Sequence, residues 1–214
     1  MRIFTSKIFN YLLLTTSKLK IDESHGLMHG MKTANYAEKI YKSLLIENPT
    51  LLSDHKIIIA SAALHDMADK KYTNETKGIE DISNYLKRET DMSIEEIEAT
   101  KNIITTLSYS KVKKQGYPKL GKFQCAYHIV READLLGAYD FDRAIIYDMT
   151  QNNCTIVEAF ENSYKLFIKR VFQYCNDDLF VNNYSKREAY ILHAEAIKQI
   201  EVWRSIIGYN SHYN

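Results

Sequence analysis

The sequence predicts an all-α fold, and two observations carry that expectation. Only seven glycines and two prolines punctuate the 214 residues, and no stretch alternates apolar with polar residues long enough to read as a half-buried strand. A chain of this length buries a sizeable core without needing a second domain, so residues 1–214 are expected to form one helical bundle. Helices are expected over roughly 3–17, 25–46, 54–67, 77–88, 94–107, 122–139, 153–175 and 186–207.

The first of these contains a short apolar run at 8–14 that looks like a weak signal-peptide core. Lys7 and Asn10 interrupt it, no small-residue cleavage site follows, and it falls far short of the roughly 20 residues that span a bilayer. An amphipathic opening helix is therefore expected. Residues 57–64 are apolar almost throughout and predict a buried helix. Ser93 with Glu96, and Ser185 with Glu188, have capping-box spacing, in which serine and glutamate each satisfy an orphan amide of the other. Ser53, soon after Pro49, reads as a simpler N-cap. The segments 67–76 and 108–121 are rich in Lys, Tyr and polar residues and are expected as loops, where substrate contacts commonly sit.

Lys and Arg total 28 against 27 Asp and Glu, a formal charge of +1. That balance argues against a dedicated nucleic-acid or membrane surface, while a small polyanion needs only a local patch. Cys125, Cys154 and Cys175 form no CxxC pair and are odd in number, as expected of reduced thiols in a cytoplasmic protein. The sixteen tyrosines read mostly as packing residues.

The informative polar residues sit against this apolar background. His65-Asp66 closes the apolar run 57–64, where an imidazole and a carboxylate need something to neutralise and order them. Alone, the dipeptide reads as well as a helix end with a hydrogen-bonded histidine. Upstream, His25 and His29 stand at i and i+4 near a helix start. Downstream, Asp134 lies within the apolar stretch 129–138, a costly place for an acid unless it is paired or coordinated.

In order and context these residues resemble the HD superfamily, whose signature is a histidine, a His-Asp dipeptide and a distant aspartate on helices around one metal. Ser24-His25 with His29, then His65-Asp66-Met67-Ala68-Asp69-Lys70-Lys71-Tyr72, then Ser108-Tyr109-Ser110-Lys111, then Glu132-Ala133-Asp134-Leu135-Leu136 are similar to a bacterial branch of that superfamily. The likeness covers about 22–143, and the segment 144–214 carries no motif and is read as helical scaffold. Gly26, Lys32-Thr33 and Glu132 depart from the pattern without removing a ligand, and they leave substrate preference open.

The resemblance implies an HD-type helical bundle with His29, His65, Asp66 and Asp134 holding one divalent ion: Mn, Co, Ni, Fe, Zn or Mg. Two-metal members add histidines between the dipeptide and the last aspartate. Only His128 stands there, about 120° off the face of Asp134 on the same helix, so it is read as a packing residue. His55, His193 and His212 have no motif around them and are left out of the site. Asp69 is implied as a proton-transfer acid, Lys71 as a catalytic and phosphate-binding cation, and His25 as a phosphate contact. Lys111 is expected to grip a polyphosphate tail beside Tyr109, with Lys113 and Lys114 as lesser candidates for the same tail, while Lys70 is expected to face water.

Implied overall is a metal-dependent phosphohydrolase acting on a nucleotide or similar small phosphorylated metabolite. Pyrophosphohydrolysis of nucleoside triphosphates is favoured over nucleoside 5'-monophosphatase activity. A non-catalytic module for nucleotide sensing or protein interaction is the alternative of another class, and a homodimer is left open.

Overall fold

The computed structural model describes residues 1–208. Among them there is no strand; the chain forms α1 (Arg2–Leu19), α2 (Leu27–Leu45), α3 (His55–Leu64), α4 (Glu75–Glu89), α5 (Ile94–Thr106), α6 (Tyr109–Gln115), α7 (Gln124–Gly137), α8 (Phe141–Asn152), α9 (Ile156–Lys169) and α10 (Asn183–Ile206). The chain is all-α, as its sequence predicts. His212 lies outside the described residues, and no helix among them is long and apolar enough to cross a membrane.

α3 is the hub. Every residue from Ile57 to Leu64 is buried, and α1, α2, α5 and α7 pack around it. α2 crosses α3 at Gly30, where an added Cβ would stand 2.6 Å from Leu12 Cδ2 and 2.9 Å from the Ala63 carbonyl oxygen. Only a residue without a side chain lets the two helices approach this closely. The same helix runs along α7, so three helices meet where the histidines and acids of the sequence pattern fall.

Several elements differ from expectation. The helix expected over 54–67 is regular only to Leu64 and tightens into a 3-10 turn over His65–Ala68. Residues 109–115 are a helix rather than a loop. It has seven residues and a single buried one, Val112, too little for periodicity to register, although the Ser108 hydroxyl caps it by accepting from the Lys111 amide. α8 was not anticipated. Its buried residues are Phe141, Ile145 and Asp148, a stripe one residue wide, and Asp140 caps it. The helix expected over 153–175 ends at Lys169 and gives way to a 3-10 turn over Val171–Gln173. His25 precedes α2, which starts after Gly26, instead of sitting one turn before His29 within it.

The caps divide the same way. The Ser93 box forms, with the Glu96 carboxylate accepting from the Ser93 amide at 2.6 Å. Ser53 instead lies inside a 3-10 turn and donates to the Thr50 carbonyl. Ser185 is buried within α10 rather than at its start, because the helix entry is held by another group. The fully buried Glu132 carboxylate accepts from the Val181 amide at 2.7 Å, the Asn182 amide at 3.2 Å and the Asn182 side chain at 2.9 Å.

Candidate metal centre

Four side chains converge from α2, the 3-10 turn that follows α3, and α7. The Nε2 atoms of His29 and His65 are 3.2 Å apart. Asp66 Oδ2 lies 3.4 Å from the first and 3.3 Å from the second, and Asp134 Oδ1 lies 3.3 Å from each. Neighbouring ligands of an octahedral ion bound at about 2.1–2.2 Å are themselves about 3 Å apart. His29, His65 and Asp66 offer donors mutually within 4.8 Å, close enough to hold a metal ion, and Asp134 joins them through the two imidazoles.

Local structure explains the convergence. His65 Nδ1 is 2.9 Å from the Ala62 carbonyl, which fixes the ring so that Nε2 faces the cluster. His29 packs against Gly137, where a Cβ would come within 3.3 Å of its ring. The imidazoles are almost sealed, with side-chain exposures of 1% and 4%, whereas Asp66 and Asp134 reach 14% and 24%. The open side of the cluster is therefore the carboxylate side.

Electrostatics fits a cation. Burial holds the His29 pKa below its ordinary value, with Arg143 adding to the effect, so the ring is a neutral donor. Burial also works against charge on His65, but Asp66 and Asp134 outweigh it and raise that pKa to about 9. The carboxylates are held low in turn, against the pull of burial, mainly by His65. One proton on His65 thus serves as the local counter-charge to two acids. A divalent ion supplies that charge and more, and its binding would release the proton. Asp66 Oδ2 is buried without a hydrogen-bond donor, as expected of an oxygen kept for such a partner.

The open side faces a cleft of about 440 Å³. Every other residue singled out by sequence lines it: His25, Asp69, Lys71 and Lys111. Asp22 accepts the hydroxyl protons of both Ser24 and Tyr72, so His25 Nδ1 donates to Ser24 Oγ at 2.7 Å and leaves Nε2 facing Lys71 Nζ at 3.4 Å. Burial first, then Arg143 and Lys71, bring the His25 pKa down to about 4 despite Asp66, and the ring is neutral at ordinary pH. Lys71 Nζ also sits 4.8 Å over the Tyr147 ring and 3.8 Å from Asp69 Oδ2, while Asp69 Oδ1 accepts the Lys71 amide. Lys111 reaches the cleft already engaged, 2.7 Å from Glu75 Oε1 and 2.9 Å from the Thr105 carbonyl.

Lys70 is exposed as expected, although it too borders the cleft. His128 stays with Gln124 and Tyr117, His55 with Glu38 and Tyr41, and His193 with Phe172 and Tyr139. Sequence reasoning missed the cleft residues contributed by the C-terminal part, above all Arg143, Tyr147, Arg170 and Tyr174. Arg143 donates from Nε to the Ser24 carbonyl and brings Nη2 to 3.9 Å from Asp66 Oδ2. The only signal available was the Asp140 cap that starts α8 three residues before it.

Fold and cluster together define an all-α chain with a buried His/Asp cluster opening on a cleft of mixed polar and apolar lining. No family model matches the sequence, and no curated protein matches it. The fold is similar to the crystal structure of a Lactobacillus plantarum protein solved as a structural genomics target. That structure has a TM-score of 0.71 and 18% identity, and the match covers 98% of this chain and 99% of that one.

Proposed function

We infer that this chain is a single-metal phosphohydrolase of the HD type, acting on a nucleotide or similar small phosphorylated metabolite in the cytoplasm. The observation that carries the reading is the cluster of His29, His65, Asp66 and Asp134 donors, open on its carboxylate side to a cleft bearing Lys71 and Arg143. A divalent ion held there would lower the pKa of a water molecule and polarise a phosphoryl oxygen, which is what hydrolysis of a phosphate ester or anhydride needs.

The chain's own residues supply the rest. Lys71, steered by His25 and the Tyr147 ring, offers a charged donor to the non-bridging oxygens of the phosphate under attack. Arg143 adds a second cation beside Asp66. Asp69, whose Oδ2 faces Lys71 Nζ, takes up or returns a proton at the attacked group. His25 acts as a neutral hydrogen-bonding partner that fixes Lys71.

The test is a phosphate and pyrophosphate release screen over nucleoside mono-, di- and triphosphates with Mn, Co, Ni and Mg. Metal-dependent release is expected, and the ratio of pyrophosphate to phosphate identifies the bond cleaved. Metal binding without release from any nucleotide would replace this reading with that of a non-catalytic module.

A further inference from the structure

Five lysines and arginines border the cleft; three have a carboxylate nearby and a fourth is exposed to water. Lys111 is ion-paired with Glu75 at 2.7 Å, Lys71 stands 3.8 Å from Asp69 and Arg143 stands 3.9 Å from Asp66. Lys70 is exposed to water. Arg170 differs. It is half-buried, and among the described residues no carboxylate lies within ion-pair distance of it.

What holds Arg170 is aromatic. Its guanidinium packs 4.4 Å from the Tyr109 ring centroid, and Nε donates to the Tyr174 hydroxyl at 3.0 Å. Tyr174 is itself buried and packs on Tyr109 and Tyr139. These contacts orient the guanidinium without neutralising it, and they leave its Nη atoms without a hydrogen bond to any described residue. A partly desolvated cation costs free energy until an anion answers it, and a guanidinium fixed in one plane is suited to a phosphate edge.

We propose that Arg170, framed by Tyr109 and Tyr174, is a second anion site in the cleft that receives the distal phosphates of a phosphoanhydride tail. This rests on the phosphohydrolase reading and narrows its substrate class to polyphosphorylated molecules. The grip on the tail that the sequence pattern assigns to Lys111 belongs to Arg170, because Lys111 is already spent on Glu75.

Two measurements test this, and the first does not depend on turnover. Inorganic tripolyphosphate and orthophosphate are titrated calorimetrically into the protein without added metal. The unaltered chain should bind tripolyphosphate about tenfold or more tightly than orthophosphate, as expected of one charge-assisted guanidinium contact. Arg170→Gln should close that gap, while Lys113→Gln, which removes an equal charge from an exposed lysine near Tyr109 that does not line the cleft, should keep it. The second measurement takes KM with metal. Arg170→Gln should raise KM about tenfold or more for a nucleoside triphosphate and leave kcat and the KM of the monophosphate nearly unchanged. Circular dichroism checks that the variant folds. A gap that survives Arg170→Gln, a gap abolished by Lys111→Gln instead, or equal KM changes for both substrates would overturn the proposal. If no nucleotide is hydrolysed but the tripolyphosphate gap closes in Arg170→Gln, the anion site stands and the hydrolytic reading falls.

Discussion

The two walls of the cleft balance their polar groups in opposite ways. One wall, built by α2, the end of α3 and α7, crowds two imidazoles and two carboxylates to separations of 3.2–3.4 Å, with a proton on His65 as the local counter-charge. The other, built by α8, α9 and the turn after it, sets its cations apart and holds them mainly with neutral groups: Arg143 on the Ser24 carbonyl, with Asp66 of the first wall 3.9 Å away, and Arg170 on Tyr174 and Tyr109. The first wall lacks positive charge and the second lacks negative charge. The metal ion and phosphorylated substrate of the proposed function would together answer both deficits, and neither component alone would.

Breaking the first wall should have the largest effect. On the proposed reading Asp66 is held for metal rather than for packing, so in Asp66→Ala bound metal and phosphate release should both be lost. The helical circular dichroism should persist, with metal content measured on the same sample. Loss of helicity together with the metal would show instead that the ion is part of the folding energy.

Glu132→Ala tests whether the walls are mechanically joined. It leaves the Val181 and Asn182 amides and Arg131 without their buried partner, which costs about 3–5 kcal/mol by analogy with one-sided removal of buried ion pairs. For a chain of this size that corresponds to a fall in Tm of roughly 6–20 °C. Calorimetry measures it, and a shift of a degree or less would mean that α10 is held by packing alone.

The smallest effect separates the site from its background. Burial, then Arg131, hold the His128 pKa down to about 4. A histidine depressed on folding favours the folded state fully above its unfolded pKa of about 6.5, and that contribution is lost as pH falls towards 4. Thermal melts at pH 7 and pH 4.5 should therefore show a smaller acid-induced drop for His128→Gln than for the unaltered chain. An equal drop in both would remove His128 from the acid response.

The walls also differ in how legible they were. The metal-centre wall could be read because imidazoles and acids are costly in apolar helices: His65-Asp66 after an apolar run and Asp134 among alanines and leucines are anomalies that point somewhere. Arg143, Tyr147, Arg170 and Tyr174 are ordinary residues of amphipathic helices and turns, and nothing in their spacing says that they share a cleft with a histidine more than a hundred positions away. α6 and α8 escaped for a related reason, since a seven-residue helix and a one-residue-wide apolar stripe carry almost no periodic signal. The Ser185 box misled because it weighed only local partners, whereas Glu132, fifty positions before Asn182, fills that place.

That long-range cap sets the smallest autonomous piece of this chain. All four side chains of the candidate metal centre lie between positions 29 and 134, which invites the idea of a minimal unit ending soon after α7. Such a truncation would leave the Glu132 carboxyl in the bundle interior, two residues from Asp134, with no amide to receive it. The helix carrying Asp134 would then lose the buried partners that hold that face in place. The segment that lacks any motif is thus a folding partner of the centre rather than an appendage, and deletions from the C-terminal side should be felt at the metal before they reach any residue of the cleft.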